Sequence, residues 1–396
     1  GSQRLDLGAL KKHVGQRLSA QPRAIQRVDS GGTAPRWVAA TDFDIEDHVR
    51  CVVTPDFATQ ADLWRIVSTL MSEHLDRDRP LWTFDVIGPL ADGREAIAAR
   101  IHHAMADGIA GVRFLDAVLF DTHPDTPASG EVRSGPRPVV PATSRREKAR
   151  RMPAAVLREL GHRASRSPFD QPITAARELA FSVAPLAEMK RIGASRPGGA
   201  TVNDVLLAII SGGLREWLPA DASRARHLRA QVPVSLHHRD EGIPAACNHD
   251  SFINVDLPLA ESDPLVRLDL ISAETTKRKH LEDAGEMYDL FHALGRVELI
   301  DRAVQRFANS AAEFSLAISN VPGPSNPVSV AGRQVQQLFS SSEPGTHHAL
   351  RISAISCSGD IGIGLCTDPS ALSGIAELAD AITRAYEELR GAAGRT

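Results

Sequence analysis

The stretch RIHHAMADGIAG, residues 100–111, sets two adjacent histidines, an aspartate and three glycines between two kinds of hydrophobic pattern. Ahead of it, RPLWTFDVIGPLADGREAIAA reads as two strands joined by the glycine-containing turn LADGRE, residues 90–95. Behind it, Ile109, Val112, Leu115 and Leu119 keep a helical period. The motif therefore occupies a strand-to-turn-to-helix junction, a place where functional groups gather. Carried through the motif, the period of two places Ile97, Ala99, Ile101 and His103 on one face and Ala98, Arg100 and His102 on the other. Side chains that point apart do not suit one shared metal ion, which argues against a metal-dependent hydrolase. Asp107 stands where a side-chain oxygen can cap the helix, and Gly108 and Gly111 permit close backbone approach. Without further context a histidine pair reads most simply as a packed structural feature.

Outward from the motif, Leu10, Val14 and Leu18 mark a helix near residues 6–19. Extended segments are expected around Arg23–Val28 and Trp37–Ala40, bracketing the turn DSGG, followed by a helix over 58–75. Residues 122–172 change character, with prolines at 124, 127, 136, 138, 141, 153, 168 and 172 and the basic run SRREKARR at 144–151. This reads as a linker with room for a short helix over 154–164. The second half alternates helices, Asn203–Leu218 and Pro264–Leu281, with the strands HLRAQVPVSL, SFINVDLP, FSLAISNVPG and LRISAISCSGDIGIGLCTD, and closes on a helix near Leu372–Leu389. Setting aside Gly1-Ser2 as a tag remnant, the expected division is a first lobe over 3–125, a linker over 126–172 and a second lobe over 173–396, both lobes α with β.

Composition excludes several classes. The 396 residues are 42% hydrophobic and 24% charged, which is ordinary for a folded globular chain. A net charge of -4 gives no global basic field for nucleic acid. The four cysteines, Cys51, Cys247, Cys357 and Cys366, lack CxxC spacing and cannot staple so long a chain, so a reducing cytoplasm is expected. No run approaches the ~18 apolar residues that a spanning helix requires.

HHAMADG, His102–Gly108, fits the pattern HHxxxDG, and further blocks follow the order RPLW (79–82), TVNDVLLA (201–208), QVPVSL (231–236), DLP (256–258) and SNVPGP (319–324). In these blocks the chain resembles the bacterial wax ester synthase/diacylglycerol acyltransferase family, a branch of the superfamily of chloramphenicol acetyltransferase and nonribosomal peptide condensation domains. The resemblance runs from about Leu5 to the end. It implies an α/β fold of two chloramphenicol acetyltransferase-like lobes, mixed sheets flanked by helices, with an active-site channel at their interface.

The function so implied is acyl-CoA-dependent O-acyl transfer to a long-chain alcohol or diacylglycerol. His103 is then the general base, needing no covalent intermediate, because an imidazole with an unperturbed pKa near ~6.5 can both take and return a proton. His102 has a supporting part. Asp107 holds the loop, pairing with a basic residue for which Arg177 is one candidate, and Gly108 forms the motif turn. Asn203 is either an orienting or oxyanion donor or simply the cap of its helix, while Asp204 suits the helix dipole. Ser319, Asn320, Pro322 and Gly323 shape the substrate channel, and Arg79–Trp82 pack rather than react. No permanently bound cofactor and no metal are implied. Acyl-CoA is the co-substrate, the partners are acyl-CoA and the hydroxylated acceptor, and the place is the cytoplasm with weak peripheral contact to membrane or lipid inclusions. SRREKARR could touch CoA phosphates or an anionic membrane, although a charge run in a linker is most simply solvated.

The chain departs from the family in three places. The family's usual first strand is missing ahead of residue 6, Cys247 stands where glycine commonly precedes the asparagine matching Asn248, and EPGTHHALRI, 343–352, differs from the usual stretch. The pair His347-His348 lacks a following Asp-Gly and reads as structural or pocket-lining. These departures keep open an acyltransferase for a natural-product or other polar hydroxylated acceptor, or one that uses a carrier-protein thioester. A non-catalytic acyl-binding protein is the more distant alternative.

Overall fold

The computed structural model describes residues 4–32, 34–121, 167–219, 228–235, 250–280, 314–324 and 326–395. The basic run, the helix expected over 154–164, Cys247 and Asn248 lie outside the described residues. Seven helices are described: α1 Leu7–Arg17, α2 Gln60–Ser72, α3 Gly108–Val118, α4 Leu186–Ala194, α5 Val202–Trp217, α6 Pro264–His280 and α7 Ile375–Ala393. The described strands are β1 Gln26–Asp29, β2 Arg36–Ala39, β3 Val49–Cys51, β4 Trp82–Ile87, β5 Ala96–Ile101, β6 Glu178–Pro185, β7 Leu228–Ser235, β8 Asp250–Leu257, β9 Leu316–Val321, β10 Ser329–Val330, β11 Arg333–Gln334, β12 Leu350–Cys357 and β13 Asp360–Thr367. The extended segment expected at Arg23–Val28 begins instead as a 3-10 turn, Pro22–Ile25, because Pro22 fixes φ at its start.

The chain forms two compact units, Gly1–Gly135 with Val321–Gln337, and Pro136–Asn320 with Leu338–Thr396. A single cut at the linker assigns everything after residue 172 to the second lobe; here Val321–Gln337 belongs with the first. The reason is a set of long-range polar ties. Asp121, just beyond α3, accepts from Ala331 N at 3.0 Å and Gly332 N at 2.8 Å and donates its own N–H to Ser329 O at 2.8 Å. Arg333 also pairs with Glu95.

In the first unit, β3 runs parallel to β4, and β5 pairs antiparallel on its other side. β4, WTFDVI, is buried at every position because it is the central strand. Trp82 is fully buried and its indole N–H donates to Ala24 O at 2.8 Å, which makes the RPLW block a packing anchor. Arg79 forms ion pairs with Asp47 and Asp76. His48 stacks between Phe43 and Trp82, at 5.0 and 4.6 Å between ring centroids, and its Nδ1–H donates to Trp82 O at 2.7 Å. Burial pushes this imidazole below its ordinary pKa, so it stays neutral and serves the core.

The second unit holds a six-stranded mixed sheet in the order β6-β13-β12-β9-β7-β8. β6, β13 and β12 are antiparallel neighbours, β7 is parallel to β9, and β8 is antiparallel to β7. Leu350, Ile352, Ala354, Ile361, Ile363 and Leu365 turn one face of it into a core shared with Val205–Ile210 of α5 and with Leu378 and Ile382 of α7. On the opposite face Gly362 and Gly364 leave room for a crossing segment: a Cβ there would stand 2.1 Å from Leu338 O and 2.1 Å from Ser340 O. β6 and α4 were not expected from the sequence. In ELAFSVAP, Ala180 and Ala184 alternate with Phe181 and Val183 too weakly to announce a strand.

Candidate active site

β5 ends at Ile101, one residue before the histidine pair. His102 keeps one strand-like bond, its N–H donating to Leu81 O at 3.0 Å, and ties the motif to the RPLW block. Its own carbonyl then accepts from Met105 N at 2.8 Å and from Ala106 N at 3.3 Å, so the chain turns at once. The strand alternation expected to carry His102 and His103 to opposite faces therefore stops short of both. Turn geometry distinguishes them instead.

His102 Nδ1 accepts from Ala104 N–H at 3.0 Å. A ring nitrogen that accepts carries no proton, so in the neutral ring the proton is on Nε2. His103 Nδ1 lies 3.4 Å from Ala106 O, and a carbonyl can only accept. In a neutral ring that contact is made by the Nδ1–H tautomer, which leaves the Nε2 lone pair open. Both rings are exposed. His48 and His348, by contrast, are spent on packing; His348 is buried and stacks on Phe314 at 4.1 Å.

Asp107 is the N-cap of α3, its carboxylate accepting from Ala110 N at 2.9 Å. Arg177, the candidate partner for that aspartate, comes within 3.8 Å of Glu343 and donates to Ala176 O at 2.8 Å. Gly108 opens α3, and a Cβ there would come 2.7 Å from Val321 Cγ2. A Cβ there would force the Val321 side chain to shift, and the contact brings Val321 of the SNVPGP block against the HHxxxDG turn, a link that no local pattern could reveal. Gly111 does not share the role, since a Cβ there would meet nothing within 4 Å.

Asn203 does not cap its helix. Thr201 is the N-cap of α5 and forms a capping box with Asp204: Thr201 N donates to Asp204 Oδ2 at 2.8 Å and Asp204 N to Thr201 Oγ1 at 3.2 Å. The other carboxylate oxygen of buried Asp204 accepts from Thr275 Oγ1 at 2.7 Å. Asn203, half-buried in the first turn, is thereby left out of the cap. Of the SNVPGP residues, Ser319 is buried and donates to Ser353 Oγ at 3.1 Å, Asn320 and Gly323 are half-buried, and Pro322 is exposed. No group of three or more His, Cys, Asp or Glu side chains that could hold a metal occurs among the described residues.

The catalytic-domain model of wax ester synthase/diacylglycerol acyltransferases matches residues 1–163, and the C-terminal-domain model of the same enzymes matches 246–390. The chain belongs to the wax ester synthase/diacylglycerol acyltransferase family. It is an O-acyltransferase. A Mycobacterium tuberculosis protein (strain H37Rv) named as the diacylglycerol O-acyltransferase tgs1 is 29% identical over 95% of this chain and 84% of its own length. A second relative from that strain, Rv0895, also named as a diacylglycerol O-acyltransferase, is 30% identical over 90% of this chain and 77% of its own. Among solved structures, the wax ester synthase/diacylglycerol acyltransferase of Marinobacter aquaeolei VT8 matches with a TM-score of 0.72 at 23% identity, covering 98% of this chain and 90% of that one. The first condensation domain of the CDA synthetase matches with a TM-score of 0.57 at 15% identity, over 98% and 88% of the two chains. At such identities the likeness speaks for the fold alone, and it agrees with the α/β architecture expected from the sequence.

Proposed function

We propose that the enzyme transfers a fatty acyl group from acyl-CoA to the hydroxyl of a long-chain alcohol or diacylglycerol, with His103 as general base. The observation that carries this is the contact of exposed His103 Nδ1 with the Ala106 carbonyl at 3.4 Å, which in the neutral ring leaves Nε2 free to accept a proton. An alcohol is a weak nucleophile and needs a base at hydrogen-bond distance. Nε2 takes the hydroxyl proton as the oxygen attacks the thioester carbonyl carbon. The tetrahedral oxyanion collapses, the C–S bond breaks, and the imidazolium returns the proton to the leaving thiolate, giving ester and free CoA. No acyl group is attached to the protein at any stage.

Asp107 and Gly108 hold the turn that aims His103, and His102 steadies it through Ala104. To Asn203 we assign an orienting donor role, and to Ser319, Asn320, Pro322 and Gly323 the wall of the substrate channel. Acyl-CoA enters as co-substrate rather than as a bound cofactor. Delivery of a lipid acceptor by peripheral contact with a membrane or lipid inclusion, from the cytoplasm, belongs to the same proposal. No helix among the described residues is long and apolar enough to cross a membrane. A polar or charged hydroxylated acceptor is the second reading, favoured by the unneutralised guanidinium of Arg351.

The test is thiol release from palmitoyl-CoA with hexadecanol or diacylglycerol. Acceptor-dependent release by the wild type, lost by a factor of about 10²–10⁴ in a folded His103→Ala variant, is the expected result. Full activity in that variant would remove His103 from the mechanism.

A further inference from the structure

Arg351 lies on β12 between Leu350 and Ile352, both of which enter the helix-side core. Alternation sets Arg351 on the opposite face, the one crossed by residues 338–342, together with Ser353. Across the strands Arg351 is opposite Cys366 and Ser353 is opposite Gly364. Ser319 Oγ donates to Ser353 Oγ at 3.1 Å, and Ser353 Oγ to Ser342 Oγ at 3.3 Å. A sheet otherwise rich in isoleucine, leucine, alanine and glycine thus carries a strip of hydroxyls with a guanidinium beside it.

That guanidinium is not neutralised. Its Nε is shut off from solvent and meets no acceptor, and no carboxylate among the described residues acts on it. The one ionisable side chain that does is Cys366, and burial pushes that thiol up to about 12, so it is uncharged near neutral pH. Burial correspondingly pulls Arg351 below its ordinary value. Arg177, the other cation acting on Cys366, has Glu343 at 3.8 Å. Arg351 is half-buried, its Nε sealed off without an acceptor, and a partly desolvated cation with no anion beside it is characteristic of a site that waits for a charged ligand.

We propose that Arg351 anchors an oxyanion, phosphate or carboxylate, carried by one of the enzyme's two substrates, with the hydroxyls of Ser353, Ser342 and Ser319 alongside. This rests on the reading of the chain as a two-substrate acyltransferase, and it names what that reading leaves open. The oxyanion belongs either to the phosphates of CoA or to an acidic hydroxylated acceptor.

Titration calorimetry of the whole protein with CoA, with 10-hydroxydecanoate and with 1-decanol separates these sources. In R351M, at least a tenfold rise in Kd is expected for CoA or for 10-hydroxydecanoate, whichever carries the anchored group. Decanol binding stays unchanged, and R351K recovers part of the loss. Should R351M not fold, R351Q carries the same expectation. The proposal is overturned if wild type binds neither anion, if neither Kd rises, or if decanol binding weakens equally, which would make Arg351 a structural residue. Wild-type thiol release is scored separately: its absence alongside Arg351-dependent anion binding would defeat the acyltransfer reading and leave the anchor standing.

Discussion

Two helix entrances carry motif residues, and they are built to opposite ends. At α5 the cap is complete and closed: Thr201 and Asp204 bind each other's backbone, and Asp204 is buried with Thr275 on its second oxygen. At α3 one side chain, Asp107, caps the helix, and the residues before it fold into a turn whose imidazoles face outward. In both places an aspartate does architectural work. Only at α3 does the entrance present imidazoles to solvent, and on this difference rests the proposal that His103 is the base.

Exchanging the two entrances by mutation gives the largest contrast. His103→Ala is expected to lower turnover by about 10²–10⁴ while the melting temperature holds, because the ring is exposed and among the described residues bonds only to Ala106. Asp204→Ala should do the reverse. It removes the reciprocal half of the capping box, leaving the Thr201 N–H without its acceptor and the Thr275 hydroxyl with Ser272 O alone, at about 1–3 kcal/mol of stability measured by urea unfolding, while the folded fraction keeps its activity. Asp107→Ala is expected to cost about 1 kcal/mol and to lower kcat together with it, and Asp107→Asn, which can still cap, to restore both. The smallest effect is reserved for His102→Gln, which should hurt kcat at least about a hundredfold less than His103→Ala. Equal losses at the two histidines would erase the distinction drawn between them.

Much of this was legible in the residues. The apolar period after Ile109 and the short acid before it announce α3 and its cap; at α5 the sequence reading has Asn203 as the candidate cap and misses the box that the spacing of Thr201 and Asp204 spells. The orientation of the histidines was not legible, because the strand pattern up to Ile101 gives no sign that the chain turns at the next residue. Nor was the place of Val321–Gln337, which depends on Asp121 and Gly108 reaching across some 200 residues of sequence. Arg351 shows the same limit: alternation puts it on a face, but only the packed sheet reveals that its neighbour is a neutral thiol.

The most direct test of the account reads the two tautomers. Long-range proton–nitrogen correlation spectra of the histidine-labelled protein, recorded above the imidazole titration and assigned with His102→Gln and His103→Gln, report which nitrogen carries each proton. Nδ1–H with a bare Nε2 is expected for neutral His103, and the reverse for His102. A spectrum in which His103 carries its proton on Nε2 would contradict that expectation.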